Sequence, residues 1–214
     1  MAVASSRTYL PAAGRDWLLP LYDPIVKLLG GDTARKALVD QAALHSDQRV
    51  LDVGCGTGSL VMQIKKLYPH LEVIGLDPDP KALARAKRKV ARGATSIQFD
   101  TGFAGELPYP GAEFDRVFSS FMFHHLPADE KKKMLSEVRR VLKSDGELHL
   151  LDFEGPGDGK HGFLSHLLHS NERLKDNSER AVLNLMRRAG FANAQKMGRR
   201  TMLVGGAAYY RARV

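Results

Sequence analysis

Two carboxylates and three glycines are the residues in this chain best placed to do chemistry: Asp52 and Asp77, with Gly54, Gly56 and Gly58 between them. Asp52 sits where the apolar run of Val50, Leu51 and Val53 gives way to the glycines. Asp77 directly follows a second apolar run, Leu71 to Leu76. A carboxylate at a strand end can accept hydrogen bonds from neighbouring hydroxyls, and its charge strengthens them. Glycines lacking a Cβ let backbone approach a ligand closely. Beyond them Leu60, Val61, Ile64 and Leu67 recur at helical spacing. Strand, glycine turn and helix together make a nucleotide site at the carboxyl end of an α/β strand. A dinucleotide fingerprint would need its third glycine at position 59 and no charge to repel a pyrophosphate. Ser59 and Asp52 both argue against that ligand, and the acid suits a cationic one.

Asp52-x-Gly54-x-Gly56-x-Gly58 resembles the first motif of class I S-adenosylmethionine-dependent methyltransferases, whose cofactor carries an amino group. The resemblance runs over about residues 20–214 and is tightest over 50–126. It implies that Asp52, Gly54, Gly56 and Thr57 lie at the methionine side of the cofactor, and Asp77 at the ribose. Phe103 and Ala104 then flank the adenine, and Ser120 lines the site. Phe103 stands where the family usually has Asp. A phenyl ring cannot accept the adenine amino hydrogen bond but can stack on the base. Asp100 is the nearest replacement acid. Tyr22-Asp23 resembles the pair that precedes the first strand in quinone-biosynthesis C-methyltransferases and the type 11 group, where it closes over the cofactor. Nucleic-acid adenine methyltransferases carry Asn/Asp-Pro-Pro-Tyr after the fourth strand, and this chain has Ser119-Ser120-Phe-Met-Phe-His124-His125.

The implied activity is methyl transfer from S-adenosyl-L-methionine to a small-molecule or amphiphilic acceptor, with S-adenosyl-L-homocysteine leaving. A non-catalytic cofactor-binding module and a phospholipid amine N-methyltransferase are the alternative readings. A base is needed only where the acceptor must lose a proton, and His124, His125 and Tyr22 are the candidates. The adjacent pair His124-His125 has no third ligand nearby in sequence, so no metal is expected. Three further histidines, His161, His166 and His169, read as one face of a helix rather than as a metal cluster.

Periodicity supplies the elements that must hold these residues. Apolar runs predict strands at Val50–Val53, Leu71–Asp77, Ser96–Asp100, Phe114–Ser120 and Glu147–Phe153, with two more at Phe191–Met197 and Thr201–Arg213 around a turn at Gly198. Helices are expected from Asp32 or Thr33 to about His45, from Leu60, from Pro80, over about Glu130–Leu142 and over Ala181–Ala189. Ser144-Asp145-Gly146 reads as a turn. The fold class is α/β: a Rossmann-like, mostly parallel sheet with helices on both faces. The resemblance implies seven strands in the order 3-2-1-4-5-7-6, the seventh antiparallel. One methyltransferase domain spans 1–214, and residues 1–45 form an N-terminal helical lid.

The chain has 214 residues, 43% of them hydrophobic, a formal charge of +8 and one cysteine, Cys55. That length suits one sizeable core. No apolar run approaches the roughly 20 residues of a membrane span. A lone cysteine excludes an internal disulfide, and a cytoplasmic setting is expected. Basic residues crowd into Lys81–Arg92, Lys131–Arg140 and Arg187–Arg200. Without interleaved aromatics these runs read as solvated helix faces. No nucleic-acid partner is expected, and peripheral membrane contact is the lesser reading.

Overall fold

The computed structural model describes residues 28–93, 96–155, 177–202 and 205–214. Seven strands form one sheet: β1 (Arg49–Val53), β2 (Glu72–Asp77), β3 (Gln98–Thr101), β4 (Phe114–Ser120), β5 (Leu142–Phe153), β6 (Ala192–Met202) and β7 (Gly205–Arg213). Their order is β3-β2-β1-β4-β5-β7-β6. The pairings from β3 across to β5 are parallel, and β7 runs antiparallel to both β5 and β6. Among the described residues the helices are α1 (Gly31–Gln41), α2 (Ser59–Leu67), α3 (Pro80–Ala91), α4 (Ala128–Val141) and α5 (Glu179–Arg188). A short 3₁₀ turn, Phe123–His125, follows β4.

Strand side chains alternate between the two faces of a sheet, and the buried residues sort accordingly. Val50, Val73, Phe118 and Leu151 pack with α1, α2 and α3. Their neighbours Leu51, Ile74, Val117 and Leu150 pack with α4 and α5. Both faces of the central strands are therefore covered, which explains why these strands read as unbroken apolar runs. All the parallel strands point their carboxyl ends at one edge, and the loops there carry the candidate residues.

Three local readings are corrected. Helix α1 begins after Gly30, whose φ is +88°, and Asp32 lies in its first turn without capping it. Residues 144–146 do not form a turn but lie inside β5, where a register shift against β4 between Phe114 and Arg116 takes up the extra length. Gly198 likewise falls within β6, at a register shift against β7, so β6 continues to Met202. In the latter two places a bulge accommodates turn-type residues without ending the strand. Residues 1–27 of the expected lid, Tyr22 among them, and His161, His166 and His169 lie outside the described residues.

Candidate functional site

The β1–α2 turn sits under two parts of the fold. The N–H groups of Gly54 and Cys55 both donate to the carbonyl of Leu76 on β2, at 2.8 and 3.0 Å. Gly54 has φ +76°, and a Cβ there would lie 2.4 Å from Cγ of Met122, so the loop after β4 rests directly on the turn. Gly56 has φ +54°, and a Cβ there would meet nothing within 4 Å. That backbone faces open space among the described residues, in a conformation that an L side chain seldom adopts. Thr57 is buried at the same bend.

Asp52 is 1% exposed, and neither carboxylate oxygen has a hydrogen-bond partner among the described residues. A buried, unpaired carboxylate is costly, so native structures seldom keep one without a ligand to meet it. Burial pushes Asp52 up to about 7; the nearby Arg35 guanidinium opposes the rise and Asp77 adds to it. Asp77 is also buried. Its two oxygens accept from the Gly56 N–H at 2.8 Å and the Asp79 N–H at 2.9 Å. Burial raises it to about 6, against the pull of those two donors. Each oxygen keeps a second lone pair for a hydroxyl donor. The rival acid Asp79 instead caps α3 by accepting from the Lys81 N–H at 2.8 Å.

Arg35 was not singled out from the sequence, yet it completes this corner. It is 5% exposed on α1, its Nε donates to Ser120 Oγ at 3.4 Å, and its guanidinium lies over the Phe121 ring. A signal was present. Ala34, Arg35, Leu38, Val39 and Ala42 form the buried stripe of α1, and Arg35 is its one charged member. Phe103 and Ala104 are half-buried past β3, and Phe103 belongs to neither apolar cluster. Asp100 is engaged elsewhere, accepting from Tyr109 Oη at 2.9 Å and Gln98 Nε2 at 2.9 Å.

The last group follows β4. His124 is buried, and Asp152 at the end of β5 holds it twice. One Asp152 oxygen accepts from the His124 backbone N–H at 2.8 Å, and the other lies 2.5 Å from Nδ1. Half-exposed His125 packs against the His124 ring, with centroids 4.0 Å apart and the planes tilted by 39°. Among the described residues no group of three potential ligands is arranged to hold a metal ion.

Residues 50–146 match the family model for a methyltransferase domain. The chain is 37% identical over 153 residues to a demethylmenaquinone methyltransferase of Deinococcus radiodurans, covering 70% of this chain and 63% of that protein. It is 35% identical over 150 residues to the demethylmenaquinone methyltransferase of Thermus thermophilus, covering 69% and 67%. The chain belongs to the class I S-adenosylmethionine-dependent methyltransferase family. Among solved structures, a SAM-dependent methyltransferase from Aquifex aeolicus superposes with TM-score 0.66 at 21% identity, over 84% of this chain and 89% of that one. A Haemonchus contortus phosphoethanolamine N-methyltransferase in complex with S-adenosyl-L-methionine gives 0.74 at 22%, over 89% and 44%. These two share the fold.

The cofactor of this methyltransferase family is S-adenosylmethionine, and the residues present fit it. Asp52 offers an orphaned buried carboxylate to an ammonium, Asp77 offers free lone pairs to hydroxyls, and Gly56 leaves room for a ligand against bare backbone. No helix among the described residues is long and apolar enough to cross a membrane.

One consequence concerns protons. At pH 6 much of Asp52 is protonated without ligand, and an ammonium beside it requires the ionised form. Binding of S-adenosylhomocysteine at pH 6 should therefore release up to about one proton, fading to none above pH 8. Calorimetry in buffers of different ionisation enthalpy reads this directly. Identical enthalpies in all buffers at pH 6 would place the ammonium elsewhere.

Proposed function

We propose that this protein transfers the methyl group of S-adenosylmethionine to a small quinol-type acceptor. Bound cofactor supplies a sulfonium-activated methyl group. The residues of the chain divide the rest of the task. Asp52 holds the amino group, and Arg35, braced on Ser120, faces the carboxylate. Asp77 takes the ribose hydroxyls, the backbone of Gly54, Gly56 and Thr57 lies along the methionine portion, and Phe103 with Ala104 borders the adenine. Holding both reactants in one water-poor crevice supplies much of the rate enhancement in such a displacement.

The observation that carries the cofactor half of this reading is the buried, unpartnered carboxylate of Asp52 above an open glycine turn. Support for the acceptor half comes from the two relatives whose names specify demethylmenaquinone. The test is direct. Purified protein, labelled S-adenosylmethionine and a short-chain 2-prenyl-1,4-naphthohydroquinone should yield the ring-methylated product. Tight cofactor binding with no transfer to this acceptor, but transfer to phosphatidylethanolamine in vesicles, would replace the quinol with a lipid amine. Binding with no transfer to either would favour a non-catalytic module.

A further inference from the structure

The chain turns sharply at Phe121, directly after β4, and the turn decides what holds Arg35. Strand side chains alternate between the two faces of a sheet. In β4, Val117 packs on the α4 side and Phe118 on the α1 side. Ser120 continues the alternation by meeting Arg35 of α1. An extended residue 121 would therefore face α4. Phe121 instead has φ +55°, left-handed backbone that a bulky L residue adopts only at a cost. Its ring is 7% exposed and belongs to the α1-side cluster. Two contacts fix it there. The Phe121 N–H donates to the Leu151 carbonyl at 2.8 Å, and the ring packs on Phe153 with centroids 5.0 Å apart. The Arg35 guanidinium then lies over the face of the ring, 5.4 Å from its centre, while Nε donates to Ser120 Oγ. Two consecutive residues thus hold one arginine, which an unbroken strand could not do. Backbone strain of this kind persists where the surroundings over-determine it, and it gathers at ligand clamps.

Arg35 is near enough for its charge to act on Asp52. Among the described residues its ion-pair partner is nevertheless Asp32, at 3.6 Å, and both Asp52 oxygens stay unbonded. Buried charges of opposite sign gain by pairing, so the two would close on each other if nothing held them apart. A closed pair would leave an incoming ammonium without its carboxylate and an incoming carboxylate without its guanidinium. Resting on the placement of Asp52 and Arg35 at the amino-acid end of the cofactor, we propose that Phe121 is the positioning residue of that pocket. Its ring keeps the Arg35 guanidinium beside Asp52 and off it, so that both charges stay open to the ligand. The pocket thereby selects nucleosides that carry a free aminocarboxylate over those that lack one. The charged groups that face Asp52 are Arg35 from α1 and Asp77 from β2, with the Cys55 thiol held neutral by burial.

Calorimetry on the full chain with two ligands tests this. S-adenosylhomocysteine carries the aminocarboxylate, and 5′-methylthioadenosine has the nucleoside without it. Phe121→Leu keeps an apolar side chain and removes the π face. Phe121→Gly suits the left-handed backbone and removes the ring outright. Either variant should bind S-adenosylhomocysteine about 3- to 30-fold more weakly, the range of one lost cation–π contact, and 5′-methylthioadenosine within about twofold of wild type. In both variants Arg35 closes on Asp52 and ionises it before ligand arrives. The proton released on S-adenosylhomocysteine binding at pH 6 should therefore shrink towards none, a readout that a merely structural role would leave unmoved. Thermal melts serve as the folding control. Equal losses for the two ligands, or unchanged S-adenosylhomocysteine affinity, in a folded variant overturns the role of Phe121. Arg35→Met separates that failure from failure of the pocket itself. If Arg35→Met keeps the wild-type preference for S-adenosylhomocysteine over 5′-methylthioadenosine, Arg35 does not meet the carboxylate and both readings fall. If it loses the preference while both Phe121 variants keep it, only the Phe121 proposal falls.

Discussion

Asp77→Ala should weaken S-adenosylhomocysteine binding by roughly 10²- to 10⁴-fold. Two hydroxyls bonded to one charged acceptor are worth about 1.5–3 kcal/mol each, and each 1.4 kcal/mol is tenfold in affinity. Asp77 also ties two buried N–H groups, those of Gly56 and Asp79, so its removal loosens the turn as well as the ribose contact. The companion Asp77→Asn separates the two effects. Its amide oxygen can still accept from one of those N–H groups while the charge is gone, so it should keep most of the stability and lose most of the affinity. Isothermal calorimetry on both variants, with thermal melts as the folding control, reads the difference. Binding within threefold of wild type in folded Asp77→Ala would take the ribose away from this residue.

The second large effect has opposite signs for stability and for binding. In the folded protein without ligand, Asp52 titrates near 7 rather than in the usual carboxylate range. Between those two values the folded state binds the proton that the unfolded state has released. Stability therefore falls as pH rises from about 4 towards 7, and stays low above it. Asp52→Asn removes that loss, because the amide resembles the protonated acid. Arg35 loses an attractive neighbour in the exchange, but burial outweighs that attraction at Asp52. The variant should melt roughly 2–10 °C above wild type at pH 8, from about 1–3 kcal/mol of relieved charge burial, with little difference near pH 4. Its affinity for S-adenosylhomocysteine should drop by at least about tenfold, since the ammonium loses its counter-charge. A melting point at pH 8 equal to or below wild type would mean that Asp52 already has a partner in the resting protein.

Much of this was readable from the residues. The positions of β1 to β5 along the chain followed from apolar runs separated by helical periods, because a sheet covered on both faces writes itself as unbroken hydrophobic stretches; their order in the sheet followed only from the family resemblance. Asp52, Asp77 and the glycines were legible because backbone geometry dictates them. Two kinds of feature were not. Gly198 and Ser144–Gly146 look like turns to any local rule, and only pairing with β7 and β4 keeps them inside strands. Arg35 and Asp152 meet their partners across separations of 85 and 28 residues, which no local pattern encodes. Both nevertheless interrupt apolar periodicity: Arg35 on the buried stripe of α1, and Asp152 after Leu148, Leu150 and Leu151 in β5. Lys131 does the same on the stripe of α4 that continues through Met134, Leu135 and Val138. A charge at a position the pattern reserves for an apolar residue was the overlooked signal.

The placement of β7 between β5 and β6 bears on how the chain reaches its native state. Within the sheet β6 pairs only with β7, so it joins the rest of the sheet only when β7 has found β5. Docking β7 on β5 joins residues 54 to 66 positions apart, from Phe153 with Ala207 to Glu147 with Arg213. Closing so distant a contact is slow compared with local hairpin formation. The last step of refolding should then be a zipping of the β6–β7 hairpin onto a preformed five-stranded half, leaving the edge of β5 briefly bare and open to pairing with another chain.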